Sequence, residues 1–326
     1  MKNIKIGTRG SPMALAQTQV IADALKAAHP GIDVQIVTIE SRGDKDTVGR
    51  LGQHGGKGGA FVTELRDRLT SGEVNLLMHS LKDLPGNEEY YDMQHLFRIG
   101  AYLKRDDAHD ALIVKVGQTI DSVLQGGVIG TNSVRRKAFL RSRYRGAQVV
   151  HFRGAANTRL EKLDGNMPQP LPYGAKEKPA DALVLAKSGL ERIGQGARVS
   201  KTFSIDEMCP AIGQGVVVAE YATENSEIRA LLGKINDKET ETCCLAERAF
   251  VRALNGHCNS PIAGHAWIRG GELHLRGVVL SPSGRFILEE ELNTRIMSAE
   301  ELGQKVAGAL LAAGAEKLIE LSRYVD

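Results

Sequence analysis

Between Asp121 and Glu161 the chain carries seven arginines and Lys137 but no carboxylate. Those arginines are Arg135, Arg136, Arg141, Arg143, Arg145, Arg153 and Arg159. Across all 326 residues the charges nearly balance, with 42 Lys plus Arg against 39 Asp plus Glu, so the excess is local. Clustered guanidinium groups repel one another, and a bound anion offsets that repulsion. Arginine suits the task because its planar fork pairs two-on-two with a carboxylate or a phosphate. A solvated basic helix face is the competing reading. The local pattern speaks for the anion. Residues 128–131, Val-Ile-Gly-Thr, read as a short buried strand ending in a turn, and Ser133 is a good N-cap. Arg135 and Arg136 then fall in the first helical turn, where the positive end of the backbone dipole disfavours cations. Two arginines placed there point to an anion held jointly by side chains and free N–H groups.

Three further stretches could carry chemistry. His79, Ser80, Lys82 and Asp83 follow the apolar run 74–78, and polar groups just after a buried strand sit at the carboxyl edge of a sheet, where α/β proteins keep ligands. Asp83 is either half of a plain surface pair with Lys82 or a carboxylate that accepts a hydrogen bond from a substrate and donates a proton to it. Cys258 lies beside His257 in the turn-rich loop from Asn255 to Pro261. Cys209, Cys243 and Cys244 read as inert buried hydrophobes. A cysteine on an exposed, glycine-flanked loop can be reached and deprotonated, so Cys258 is a candidate nucleophile. The segment 49–59 holds six glycines and Lys57. It fails as a phosphate loop because Gly58, not Ser or Thr, follows the lysine. A mobile lid over a cleft and a flexible linker both remain open.

The elements that must position these groups alternate short apolar strands with amphipathic helices through the first half of the chain, the pattern of an α/β domain. A strand is predicted over 3–7. A helix follows, capped by Ser11 and opened by Pro12, with Leu15, Val20, Ile21, Ala24 and Leu25 on its inner face. Another strand covers 33–39, a helix runs over about 61–69, and a strand over 74–78. A second unit from about Ala108 has strands at 111–114, 128–130, 148–151 and 182–185. Ile6-Gly7-Thr8 and Ile129-Gly130-Thr131 are matching strand ends, each followed by a serine and a helix start. They read as two similar lobes presenting helix N-termini to a shared cleft, with chance similarity of so short a motif as the alternative. The four prolines between Asn166 and Pro179 mark an exposed loop. From about Asn225 a helix (239–254), three strands near 261–268, 272–280 and 286–292, and a long helix from Ser298 suggest a separate α+β domain.

Composition narrows the function classes. Aromatic residues make up 5% of the chain, and no zinc-finger or RNP-like signature accompanies the arginines, so a compact polyanion fits better than nucleic acid. The N-terminus runs straight into a strand without the apolar stretch of a signal peptide, and no apolar run spans a bilayer. Four cysteines without CxxC or zinc spacing imply reduced thiols, no metal site and a cytoplasmic setting.

Taken in order, the motifs resemble the porphobilinogen deaminase (hydroxymethylbilane synthase) family along nearly the whole chain. They are Thr8-Arg9-Gly10-Ser11-Pro12, the Gly-Gly-Lys-Gly loop, the run from His79 to Pro85, and Gly130-Thr131-Asn132-Ser133-Val134-Arg135-Arg136. Arg153-Gly154 through Thr158-Arg159-Leu160, Pro210-Ala211-Ile212-Gly213-Gln214-Gly215, and Cys258 with Pro261-Ile262 complete the set. The resemblance implies an α/β fold with two type II periplasmic-binding-protein-like lobes around a cleft and a C-terminal α+β domain with a three-stranded antiparallel sheet. Lobe one is expected over 1–100 and 207–222, lobe two over 103–203, and the third domain over 226–326.

It further implies a transferase that condenses four porphobilinogen molecules head to tail, with loss of ammonia, on a dipyrromethane cofactor joined to Cys258 by a thioether. Hydrolysis then releases linear hydroxymethylbilane for tetrapyrrole and haem synthesis. By the same resemblance Asp83 is catalytic. Lys82, Ser80, Asp83, Thr131, Ser133, Arg135, Arg136 and Arg153 hold the cofactor, and Arg9, Ser11, Arg153, Arg159 and Arg192 hold the substrate. A cytoplasmic monomer without nucleic-acid or membrane partners is expected. A two-lobed small-anion-binding module is the alternative. The chain departs from the family pattern in a longer glycine loop, in Asn132, in Ala155-Ala156-Asn157, and in His257.

Overall fold

The computed structural model describes residues 3–39, 56–86, 93–168, 178–256, 260–295 and 298–324. In chain order the strands are β1 (Asn3–Thr8), β2 (Asp33–Thr38), β3 (Leu76–Ser80), β4 (Phe97–Tyr102), β5 (Asp110–Val114), β6 (Val128–Gly130) and β7 (Gln148–Val150). Then come β8 (Ala182–Ala186), β9 (Lys201–Thr202), β10 (Val217–Ala222), β11 (Ile262–Arg269), β12 (Glu272–Leu280) and β13 (Ile287–Arg295). They form three sheets, ordered β2-β1-β3-β10-β4, β7-β6-β8-β5-β9 and β11-β12-β13.

The first two sheets share one plan. Each has three parallel strands, then an antiparallel strand that arrives from the far side of the other sheet's segment, then an edge strand. In the first sheet the inserted strand is β10, antiparallel to β3 and β4; in the second it is β5, antiparallel to β8 and β9. This is the two-lobed, periplasmic-binding-protein-like α/β arrangement, and the chain crosses between lobes at 103–109 and again near 208–216. The third sheet is antiparallel throughout and packs Ala266, Leu273, Leu275 and Val279 on Phe250, Leu302 and Val306 of its helices. No described helix is long and apolar enough to cross a membrane.

Local chemistry explains the first elements. Ile4 and Ile6 of β1 are buried against Ile21 and Leu25 of the helix Pro12–Ala28. That helix starts where Ser11 Oγ accepts the Ala14 N–H at 3.2 Å, a cap that contributes about 1 kcal/mol. Its buried stripe is Ala14, Gln17, Thr18, Ile21, Ala22 and Leu25. Leu15 and Val20, expected on that face, are exposed, because each sits one residue, about a quarter-turn, off the three-and-four spacing.

Other differences from the sequence reading have similar causes. β3 lies two residues later than expected, since β10 extends the ladder to His79 and Ser80. The helix Gly56–Thr70 begins at Gly56, not near Phe61, so part of the glycine-rich segment is helical; a first helical turn has no intrahelical N–H bonds for glycine to weaken. The segment 40–55, with the rest of that loop, lies outside the described residues. So do residues 169–177 of the proline-rich stretch. The final helix is two, Ala299–Ala312 and Ala315–Leu321, separated by Gly314 at φ +97°, a left-handed break that favours glycine.

Candidate functional site

β1 and β6 are each flanked by parallel neighbours, so the segments after β1, β3, β6 and β7 emerge at the carboxyl edges of their sheets. On lobe one this edge carries Arg9, Ser11, Ser80 and the 3-10 turn Leu81–Asp83. The turn is held from below. Leu81 is buried, its N–H donates to Val216 O at 3.0 Å, and Gly213, at φ +70°, leaves no room for a Cβ beside its side chain. Lys82 and Asp83 therefore project from a fixed base into solvent. Asp83 makes no hydrogen bond or ion pair among the described residues. Lys82 is open to water yet enclosed by the cleft walls. That enclosure pushes its pKa down to about 8, with Asp83 pulling it up and the lobe-two Arg136 pushing it down. Lys82 thus faces the arginines of the opposite lobe.

Behind β3, Glu220 of β10 is completely buried. Arg66 pairs with both of its carboxylate oxygens, Nη2 at 2.6 Å and Nε at 3.1 Å, and His79 Nε2 lies 3.2 Å away. Burial alone would raise the Glu220 pKa, but His79 and Arg66 hold it down to about 2.

On lobe two the turn after β6 is closed by its own side chains. The Ser133 N–H donates to Thr131 Oγ1 at 3.2 Å, and Ser133 Oγ caps the helix Val134–Arg143 by accepting the Arg136 N–H at 3.4 Å. Asn132, one of the departures noted above, accepts the Phe152 N–H at 2.8 Å and so ties this turn to the chain after β7. Arg135 and Arg136 are buried, and their nearest anion is internal. Arg135 Nη2 lies 2.7 Å from Asp110 Oδ2, and Arg136 Nη2 and Nε lie 2.7 and 2.9 Å from Asp110 Oδ1. The stretch without carboxylates is thus partly neutralised by an aspartate outside it, which spacing along the chain does not show. Asp110 is itself fully buried, yet Arg135 and Arg136 hold its pKa down to about 2 against that burial.

The outer arginines differ. Arg159 donates from Nε to Gly154 O at 2.7 Å and pairs with no carboxylate among the described residues. Burial and then Arg136 depress its pKa to about 10, the mark of a cation short of counter-charge. Arg153 Nε donates to His151 Nε2 at 3.0 Å. Arg192, by contrast, reaches across to the first crossing segment, pairing with Asp106 at 2.5 Å and with Gly215 O at 3.0 Å. Gly215 sits at φ +86°, and a Cβ there would lie 2.6 Å from Asp106 O.

Lys82 of lobe one and Arg159 of lobe two thus both feel the charge of Arg136, and Asp83 lies beside Lys82. Among the described residues, Arg135 Nε and Arg192 Nε are buried donors with no hydrogen-bond partner, whereas Gln214 Oε1 is a buried acceptor without one. Cationic and hydroxyl donors with buried atoms still unsatisfied suit a ligand bearing several carboxylates. Cys258, with His257 and Asn259, lies outside the described residues. Cys209, Cys243 and Cys244 are buried, and burial raises the thiol pKa of all three, that of Cys243 to about 11. No group of three His, Cys, Asp or Glu side chains among the described residues is placed to hold a metal.

Three carboxylates at the centre of these networks went unread in the sequence: Asp110, Glu220 and Glu247. Glu247 is buried and takes Arg105 Nη2 at 2.7 Å, the Gly213 N–H at 2.7 Å and the Ala266 N–H at 2.8 Å, which joins the third domain to both crossings. A signal existed for two of them, since Asp110 heads the apolar run 111–114 and Glu220 interrupts the run 216–222. A lone acid in a buried strand is costly unless paired.

A family model described as "Porphobilinogen deaminase, dipyromethane cofactor binding domain" matches residues 4–230, and one described as "Porphobilinogen deaminase, C-terminal domain" matches residues 241–312. The chain is 40% identical over 318 residues to "Porphobilinogen deaminase 2" of Streptomyces coelicolor, covering 97% of this chain and 96% of that one. It is 37% identical over 321 residues to "Porphobilinogen deaminase" of Stenotrophomonas maltophilia, covering 98% and 100%. The protein of that name from Shouchella clausii is 37% identical over 325 residues, covering 99% and 98%.

Proposed function

The chain belongs to the porphobilinogen deaminase family, and from that membership we propose how its cleft carries out the family's reaction. The activity is that of a transferase: four porphobilinogen molecules are condensed head to tail with loss of ammonia, and hydrolysis releases linear hydroxymethylbilane. The family domain matched by residues 4–230 is the one that binds dipyrromethane, and the carboxylate-seeking donors of the cleft fit that group. When bound, it supplies the pyrrole carbon to which new units are joined.

The arrangement that supports the residue assignment is the exposed Lys82–Asp83 turn, held on its base by Leu81 and Gly213 and facing the arginines of lobe two. Each pyrrole unit bears an acetate and a propionate. Arg153 with Lys82, Thr131 and Ser133 holds the carboxylates of the resident group, seated against Arg135, Arg136 and Ser80, and Cys258 is its attachment point. Arg9, Ser11, Arg159 and Arg192 hold those of the incoming substrate. Loss of ammonia leaves the substrate's methylene carbon cationic. Asp83, exposed on its fixed turn and without an ion pair among the described residues, accepts the pyrrole N–H and offsets that charge where it develops. We read residues 1–100 with 207–222, 103–203 and 226–326 as the three domains, and the protein as a cytoplasmic monomer acting on a small molecule, without nucleic acid or membrane. The near-balance of charge over the chain supports the reading without nucleic acid or an anionic membrane surface.

The test is to incubate the purified protein with porphobilinogen while measuring its intact mass. A covalent dipyrrole adduct together with consumption of porphobilinogen is expected. The bare chain mass with no turnover would instead favour a non-catalytic anion-binding module.

A further inference from the structure

Asp110 opens β5, the strand by which the chain enters lobe two, and its carboxylate collects donors from two separate stretches. Arg135 and Arg136 come from the helix Val134–Arg143. Gln214 Nε2 comes from the returning segment at 2.9 Å and also donates to Ala108 O at 2.6 Å. The two guanidinium groups are held elsewhere as well, Arg135 Nη1 by Cys209 O at 2.6 Å and Arg136 Nη1 by Val184 O at 3.1 Å. Of the five N–H groups that a guanidinium offers, Arg136 has three engaged inside the protein, and neither arginine can swing out to follow a ligand.

We propose that Asp110 is a positioning residue that sets the charge of this anion site, cancelling one of the two arginine charges so that a net single positive charge, in fixed geometry, meets one ligand carboxylate at a time. The inference rests on the reading of the cleft as the porphobilinogen site. Two uncompensated, buried cations would grip a polycarboxylate chain tightly and in several poses. A product that grows by four units needs a grip that orients each carboxylate and then yields it. Asp110 is ionised throughout the neutral range, so the cancellation is permanent, and its position on the crossing strand keeps the cluster aligned with both lobes.

The experiment is steady-state turnover of porphobilinogen by Asp110→Asn, expressed per molecule that carries the adduct by intact mass. With one more positive charge in the site, KM is expected to fall by roughly tenfold, the low end of what close charge pairs couple, and kcat to fall with it as release slows. A merely structural Asp110 would reduce the yield of folded, adduct-bearing protein and leave both constants of the loaded molecules unchanged, which would overturn the proposal. The double variant Asp110→Asn/Arg135→Gln restores the net charge and leaves fewer buried cations, so it serves even where the single variant does not fold. Its KM is expected within about twofold of the parent, with kcat still reduced because the fixed fork is lost. A KM more than about fivefold from the parent in the double variant would also overturn the proposal. Failure of the parent chain itself to consume porphobilinogen would sink the functional reading instead, so the two failures are distinguishable.

Discussion

Replacing Asp83 by asparagine separates chemistry from folding more cleanly than any other change in the cleft. The side chain is exposed on the turn Leu81–Asp83 and makes no internal hydrogen bond or ion pair among the described residues. The turn is fixed by Leu81 and Gly213, not by Asp83. Surface changes of this kind stay within about 0.5 kcal/mol of stability. Loss of a preorganised group facing developing charge costs on the order of a hundredfold to a thousandfold in turnover, about 2.7–4 kcal/mol.

A second signature follows from Lys82. Its pKa of about 8 is held up by Asp83 against burial and the arginines; without the carboxylate the ammonium loses its proton at lower pH. The parent's dependence on a charged Lys82 fades as pH rises through about 8, and that of Asp83→Asn fades earlier. The deficit of the variant therefore widens from pH 6.5 to pH 8.5. The assay is kcat for porphobilinogen over that range, with the adduct verified by mass and the fold by thermal melting. A variant that keeps its adduct, melts like the parent and turns over within a few-fold of it at both pH values would refute Asp83 as the catalytic carboxylate and return it to a surface pair with Lys82.

Glu220→Gln leaves Arg66 buried beside a neutral partner and is expected to cost about 3–5 kcal/mol, measured by urea unfolding. Because Glu220 is held near 2 in the folded protein against an ordinary 4.5, the parent has this stabilisation in full above about pH 4.5 and loses it as pH falls toward 2, a loss the variant should lack. Cys258→Ser should remove the adduct from the intact mass, whereas serine at Cys243 or Cys244 should leave it. Gly215→Ala forces a Cβ to 2.6 Å from Asp106 O at φ +86°. Beyond about 1 kcal/mol of backbone strain it should displace the Arg192–Asp106 pair, seen as a lowered melting temperature together with a raised KM.

Much of the fold could be read from the chain because local rules decide it. The end of β1, the Ser11 and Ser133 caps and the whole of β12 follow from apolar runs bounded by capping residues. Local rules fail where tertiary partners decide. The stretch 97–102 carries polar Arg98 and two small residues, and becomes β4 because β10 pairs with it. The 201–202 strand is two residues long and exists by pairing with β5. In the cleft, residue types and motifs marked Asp83, the arginines and the Thr131–Ser133 turn. What the arginines do depends on Asp110, some 25 residues upstream and brought beside them by the order of the second sheet, and no spacing along the chain encodes that.

The inserted strand β10 also constrains the order in which the molecule can be built. It lies between β3 and β4, so until residues 217–222 exist the first sheet is two fragments: β2-β1-β3 with a bare edge, and β4 with no partner. On a ribosome, 120 residues (from 102 to 222) separate the end of β4 from the end of β10, roughly 6 to 24 seconds at about 5–20 residues per second. The second sheet needs nothing beyond Thr202 and can finish first. The nascent chain therefore matures from its middle outward, and its amino-terminal third waits, edge exposed, as the portion most in need of a chaperone.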